Sequence, residues 1–326
     1  MDGRTAVDGA ASAAAGSAVR PLEITVLTGG PGSEREVSLA SGAAVAEALV
    51  RAGHAVQSLD ITPADTSALD REGVDVVFIA LHGPFGEDGQ VQRLCERRRL
   101  PYVGSGPDAS AMAMDKNDAK RVYQRAGLLT PDWTVVEADE SADHWRASLR
   151  RFSPPCVVKP VDSGSSVDIT IAHDLPARDA AVADLLHRYG RVMVECFIAG
   201  RELTVGVLGD RALPVVEIRP EREFYDYQAK YIDDATEYIV PADLPADVAR
   251  CVSEAGSKAH AALGCRDLSR TDFLLTSDGT PWVLETNTIP GFTSHSLVPK
   301  AAAAAGVDFP TLCDRLVRMA LHRAGR

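Results

Sequence analysis

Asp272, Glu285 and Asn287 carry the strongest chemical signal in this 326-residue chain. They sit in two apolar runs that flank Thr276-Ser277-Asp278-Gly279-Thr280, a pattern that reads as a β-hairpin with Asp278-Gly279 as a two-residue turn. That turn sets Asp272 opposite Glu285 and Arg270 opposite Asn287. Side chains two apart share a face, so all four polar groups fall on one side of the ribbon. Opposed carboxylates repel each other, and a cation is expected between them. Oxygen-only ligands suit a hard cation such as Mg²⁺, which also holds substrate phosphates. The alternative is a pair of solvated carboxylates on an exposed face.

Other segments supply what a magnesium–nucleotide enzyme needs. Gly164-Ser165-Ser166 lies between two strand-like runs, and such a small-residue turn exposes backbone N–H groups to an anion. Lys159 ends the apolar run Val157-Val158, where an ammonium is costly to bury without an anionic partner. Lys116 offers a second point charge. Glu195 closes Met193-Val194 and is followed by Glu202; either could accept from an adenine amine or a ribose, or be a solvated rim residue. The segment Phe224-Tyr225-Asp226-Tyr227-Gln228-Ala229-Lys230-Tyr231 reads either as a cap on a core or as a lid that excludes water. Asn287 to Leu297 leaves the metal strand through Pro290-Gly291 and brings backbone donors and hydroxyls near it, suited to gripping a carboxylate or an oxyanion. No G-x-x-x-x-G-K-[ST] loop exists, and Gly104-Ser105-Gly106-Pro107-Asp108-Ala109 lacks the context of a dinucleotide fingerprint.

The elements that must position these residues are legible in outline. Leu22 to Thr28 reads as a strand ending in Gly29-Gly30-Pro31-Gly32, Ser38 to Arg51 as a helix, and Val74 to Leu81 as a buried strand ending at His82-Gly83. This alternation implies a small open parallel sheet whose ligands gather at the carboxyl ends of strands, where Gly30, Gly32, Glu34 and His82 lie. A second unit begins near Gly104, with a helix from Met114 towards Ala126 and strands at Cys156–Pro160, Ile169–Ala172 and Arg191–Phe197. The last unit holds the hairpin and a closing helix with Leu312, Cys313, Leu316, Val317 and Ala320 as a core stripe.

A formal charge of −12 argues against a nucleic-acid partner, and no apolar stretch is long enough to span a bilayer. Six scattered cysteines without zinc-type spacing suit reduced thiols in a cytoplasm. Residues 1–20, rich in Ala, Gly and Ser, read as a disordered extension.

Four blocks then carry a family resemblance: Gly32-Ser33-Glu34-Arg35-Glu36-Val37-Ser38-Leu39; Leu81-His82-Gly83-Pro84-Phe85-Gly86-Glu87-Asp88-Gly89; Phe224-Tyr225-Asp226-Tyr227 with Lys230-Tyr231; and Thr293-Ser294-His295-Ser296-Leu297-Val298-Pro299. On these the chain resembles the D-alanine–D-alanine ligase family of the ATP-grasp superfamily, from about Leu22 to Leu321. The resemblance implies an α/β (α+β) fold of three domains: an N-terminal open parallel sheet at 21–104 with the first D-alanine site, a lid domain at 105–195, and a C-terminal domain at 196–326. ATP would be clamped between the last two.

It further implies that Lys116, Lys159 and Lys230 contact phosphates, that Glu195 contacts the adenine and Glu202 the ribose, and that Ser166, Phe197 and Ile198 belong to the ATP site. Asp272, Glu285 and Asn287 would bind two Mg²⁺ ions, or Mn²⁺. Glu34 would hold the first D-alanine near His82, linked with Ser165 and Tyr231. Arg270 and the Gly291 backbone would stabilise a tetrahedral intermediate, and Ser296 and Leu297 would hold the second D-alanine. The implied reaction is ligation of two D-alanines through a D-alanyl phosphate, for peptidoglycan synthesis, by a cytoplasmic homodimer. D-Lactate, D-serine or another amino acid as acceptor is the alternative, and a degenerate nucleotide-binding homologue a more distant one. Tyr231 favours the dipeptide, since dipeptide-forming members carry Tyr there. Two positions depart from the family pattern: Asp168 replaces a glycine after the phosphate loop, and Cys196 replaces a common lysine beside the adenine.

Overall fold

The computed structural model describes residues 20–164, 168–219 and 236–325. Ser165, Ser166, Lys230 and Tyr231, and nearly all of the N-terminal extension, lie outside the described residues.

The first layer is β1 (Glu23–Gly29), α1 (Arg35–Arg51), β2 (Ala55–Ile61), β3 (Val76–Ile79) and α2 (Gln90–Arg97). Its strands form the expected parallel sheet, in the order β2-β1-β3. Central β1 is buried on both faces, which is why it reads as an unbroken apolar run. Edge strand β2 is largely exposed and has no such run, so its sequence is silent. Helix α1 starts three residues earlier than its apolar spacing indicates. Glu34 takes its N-cap position without capping it, which leaves the carboxylate to point elsewhere.

Next come α3 (Pro107–Met114), α4 (Lys116–Arg125), β4 (Trp133–Glu137), α5 (Ala142–Ser148), β5 (Cys156–Pro160), β6 (Thr170–Ala172), α6 (Leu175–Tyr189) and β7 (Arg191–Cys196). The strands pair antiparallel as β4-β7-β5-β6, over a core of Trp145, Phe152, Val158, Val182 and Val194. Helices α3 and α4 bury Ala113, Ala119, Val122 and Tyr123 elsewhere, in the core beneath the third sheet. Asp115 starts α4 by accepting hydrogen bonds from the backbone N–H groups of Asn117 at 2.9 Å and Asp118 at 3.0 Å.

The third sheet is antiparallel, β11-β10-β8-β12-β13 with β9 paired to β8. It comprises β8 (Arg201–Leu208), β9 (Arg211–Ala212), β10 (Val216–Arg219), β11 (Glu237–Ile239), β12 (Leu268–Leu275) and β13 (Pro281–Asn287), with α7 (Ala246–Ala262) against it. Then α8 (Leu297–Ala304) and α9 (Phe309–Arg323) close the chain. The whole predicted stripe of α9 is buried, but against Val45, Leu49 and Val76 of the first layer as well as its own.

The hairpin pairs Asp272 with Glu285 and Arg270 with Asn287, as the spacing predicts, but by a different route. The turn is not the two-residue type. Thr276 and Thr280 are joined by a 3.1 Å backbone bond, Gly279 donates to the Thr276 carbonyl at 2.9 Å, and Gly279 sits at φ +82. That is a three-residue loop with its left-handed position filled by glycine. It shifts the register by one near the loop, where Leu275 faces Pro281. A bulge at Asp272/Phe273 shifts it back at the carboxylates.

Candidate functional site

The carboxyl ends of β1 and β3, the start of α4 and the end of β13 converge on a cavity of about 530 Å³. Glu34, His82 and Glu87 come to its wall from the first layer, Lys116, Ser163 and Gly164 from the second, and Arg270, Glu285, Asn287, Gly291, Ser296 and Leu297 from the third.

Glu34 is set by its helix. The Ser38 hydroxyl, one turn on, donates to the Ala80 carbonyl at 2.6 Å and fixes α1 against the end of β3. Gly83 must be glycine: it sits at φ +69, and a Cβ there would come within 2.5 Å of Glu34 Oε2. Gly164, immediately before Ser165, also lies against this carboxylate, 3.6 Å from a built Cβ.

His82 Nδ1 is 3.2 Å from the Ile289 carbonyl, which can only accept. Nδ1 therefore carries the proton, and Nε2 accepts from the Ser41 hydroxyl at 3.0 Å. Burial, reinforced by nearby Arg270, lowers its pKa to about 4, so the ring is neutral near pH 7. Its role is to join the first layer to the 287–293 segment. Glu87, with one oxygen accepting from Gly83 N–H at 2.8 Å, is pushed well above the carboxylate range by burial and by Glu34.

The paired carboxylates of the hairpin are held by protein cations. Arg270 grips Asp272 with Nε at 2.9 Å and Nη2 at 2.8 Å, and Thr204 Oγ1 donates to the same carboxylate at 2.6 Å. Asp272 thus stands behind Arg270 and not on the cavity wall. Lys116 Nζ lies 3.5 Å from Glu285 Oε2 and also donates to the Ser163 carbonyl. One lysine therefore bridges the phosphate-loop stem and the hairpin. Two carboxylates and an amide oxygen on one face are a donor set that suits a hard cation, with Arg270 and Lys116 supplying the positive charge here. Ser296 begins α8, but its hydroxyl turns back to accept from Thr293 N–H at 3.0 Å, near Gly291.

Lys159 of β5, with Glu195, Phe197, Ile198 and Glu202 around the β7–β8 junction, lies off this wall. Lys159 Nζ meets Glu195 Oε1 at 2.5 Å, and Lys120 meets Oε2 at 2.9 Å. Burial works to raise the Glu195 pKa, but the two ammonium groups hold it below the usual value. Sequence reading missed Lys120, whose one signal is its place a turn after Lys116 among Ala119, Val122 and Tyr123. It missed Thr204 and Ser41 too, since neither spacing nor composition marks a buried hydroxyl.

Asp168 faces away from the cavity. Its carboxylate accepts from Arg188 Nη1 at 2.7 Å and from the Tyr189 hydroxyl, both at the end of α6. It occupies φ +59, a left-handed conformation that glycine adopts most easily and Asp tolerates. Cys196 donates its backbone N–H to the Asp132 carbonyl at 2.9 Å.

Comparison with known proteins places this geometry in context. Models of the D-ala D-ala ligase C-terminus and N-terminus match residues 122–318 and 64–105. A D-alanine–D-alanine ligase of Anaeromyxobacter sp. (strain K) is 44% identical over 301 residues, 92% of this chain and 97% of its own. One from Geotalea uraniireducens is 46% identical, over 93% of this chain and 96% of its own. Among solved structures, the Bacillus anthracis D-alanine–D-alanine ligase complexed with ATP has a TM-score of 0.81 at 31% identity, covering 93% of this chain and 99% of its own. The VanG D-Ala:D-Ser ligase from Enterococcus faecalis has the same TM-score, 0.81, at 29% identity, covering 92% of this chain and 100% of its own.

Proposed function

The chain belongs to the D-alanine–D-alanine ligase family, and from that premise we propose that it joins two D-alanines into D-alanyl-D-alanine, with ATP converted to ADP and phosphate, for peptidoglycan precursor synthesis. The observation that carries this is the convergence of Glu34, Lys116, Arg270, Glu285 and Asn287, from three layers, on one cavity. ATP binding is supported by the ATP-complexed Bacillus anthracis ligase of the same fold.

In the first step the carboxylate of one D-alanine attacks the γ-phosphorus, giving an acyl phosphate and ADP. The amine of the second then attacks the acyl carbon, phosphate leaves, and the amine loses a proton. Glu34 pairs with the ammonium of the first D-alanine, while His82, neutral near pH 7, holds the wall. Lys116 and Lys159, with Lys230, neutralise the triphosphate. Arg270 and the Gly291 N–H face the tetrahedral oxyanion. Ser296 and Leu297 hold the second D-alanine, and Ser165 and Tyr231 complete the set around Glu34. Catalysis is then positioning and charge neutralisation rather than covalent work by the protein. Asp272, Glu285 and Asn287 would hold two Mg²⁺ ions, or Mn²⁺, which screen phosphate charge.

Units at 21–104, 105–195 and 196–326, with the nucleotide between the last two, and a cytoplasmic homodimer complete the proposal. Among the described residues no helix is long and apolar enough to cross a membrane. Phosphate release and product analysis with D-alanine, D-serine and D-lactate test the reaction. D-Alanine-dependent release with D-alanyl-D-alanine as product is expected; no D-alanine-dependent release, or preferential capture of another acceptor, would overturn it.

A further inference from the structure

Lys120 has a fully enclosed side chain, 0% exposed, yet the ligation chemistry gives it no task. Its ammonium has three N–H groups. Two donate to Thr130 Oγ1 at 2.8 Å and the Pro131 carbonyl at 3.0 Å. The Lys120 nitrogen also lies 2.9 Å from Glu195 Oε2 in an ion pair that does not meet hydrogen-bond geometry, and the Trp133 ring closes another side at 5.2 Å. Thr130 in turn donates to the Val283 carbonyl of β13 at 2.8 Å, so Lys120 is fastened to the hairpin as well as to β7. Lys159 is held differently: among the described residues its hydrogen-bond partner is Glu195 Oε1. One carboxylate thus stands between a lysine with two other protein acceptors and a lysine with no other hydrogen-bond partner among the described residues.

We infer that Lys120 is a positioning residue for the nucleotide: it holds Glu195 from the protein side, so that Lys159 keeps donors for the triphosphate and the three groups together stay at a net charge of +1. This rests on the nucleotide reading of Lys159. Without Lys120, Glu195 and Lys159 would form a neutral, mutually satisfied pair. In an enclosed, poorly screened site, that missing charge weakens an anionic ligand far more than a surface charge would. Buried ion pairs add little net stability, so the set is better explained by what it presents to a ligand.

The charge is also sensitive to pH. Burial lowers Lys120 to about 8, with Glu195 of β7 opposing that shift, Lys159 of β5 adding to it, and Asp132 before β4 opposing it. Cys196, at the end of β7, faces the same region. As pH rises through 8 the set loses its positive charge, so ATP affinity falls; bound ATP holds the proton on and moves the loss upward.

The test is calorimetric binding of MgATP to the full chain without D-alanine. Lys120→Met should bind at least about 10-fold more weakly, with the KM for D-alanine at saturating ATP within about 2-fold. The parent should lose affinity from pH 7.5 to 9, and Lys120→Met should not. Parent-like binding by a folded Lys120→Met would overturn the inference. Should Lys120→Met fail to fold, a flat parent profile from pH 7.5 to 9 does the same. Absence of MgATP binding by the parent would overturn the nucleotide reading itself, and this inference with it.

Discussion

Burial sets the charge state of His82, whereas hydrogen bonds from Arg188 and Tyr189 set that of Asp168. Unfolded, an imidazole titrates near 6.5; folded, His82 resists protonation until about 4. Below pH 6.5 the unfolded chain binds a proton that the folded chain does not. His82 therefore contributes nothing to pH dependence above 6.5, and stability falls as pH drops from 6.5 towards 4, by up to roughly 3 kcal/mol. Urea midpoints at pH 7.5 and 5 should show a smaller acid loss for His82→Asn than for the parent; equal losses would assign the effect to other groups. Asp168 faces Arg188 and Tyr189 at the end of α6, and these hydrogen bonds hold its carboxyl below the usual range. Asp168→Gly should consequently leave the KM for ATP within about 2-fold, contrary to what a carboxylate aimed at phosphates would do. Asp168→Ala should lose roughly 1 kcal/mol, the cost of a non-glycine side chain at positive φ without its partners. A marked fall in KM for Asp168→Gly would put the carboxylate back beside the triphosphate.

At the scale of elements, α4 ties the first lysines to the hairpin. The Tyr123 hydroxyl donates to Thr286 Oγ1 at 2.8 Å, and Thr286 lies 3.0 Å from Thr271 Oγ1 across the strands. All three are buried, so Tyr123→Phe removes one hydrogen bond while Thr271 and Thr286 still satisfy each other. A loss of about 1 kcal/mol in unfolding free energy is expected, read from denaturant curves with an unchanged slope. A loss above about 3 kcal/mol would mean that α4 itself had shifted. The hairpin was legible because alternation and a short turn set are local. Its loop and bulge were not, since their two register shifts cancel before the carboxylates.

For the whole molecule, the cations that hold Asp272 and Glu285 also decide how metal and nucleotide register in stability. Arg270 and Lys116 already neutralise the hairpin, so substituting Glu285 relieves little carboxylate repulsion in this arrangement. Glu285→Gln should leave the thermal midpoint without ligand nearly unchanged or slightly lower. The parent should gain stability from MgATP, about 2.7 kcal/mol at a hundredfold excess over Kd, and EDTA should abolish much of that gain. Glu285→Gln should lose both the gain and turnover. An MgATP-induced rise as large as the parent's would remove Glu285 from the metal set.

The sequence alone determined what depends on neighbours along the chain: the parallel first sheet, β5, the core stripe of α9 and the facing of Asp272 by Glu285. Periodicity encodes β5 and the stripe because apolar spacing is local to each element, the two carboxylates meet across one turn, and the alternation of strand and helix implies the parallel sheet. Tertiary structure alone decided that α9 packs on the first layer, where His54 reaches Asp314 at 2.8 Å, and that α3 and α4 pack under the third sheet. It alone set Lys120 on Glu195 and turned Asp168 towards α6. A lysine or an aspartate looks the same in sequence whether solvated or buried against a partner brought from far along the chain. Only the packing that excludes water and supplies that partner distinguishes them.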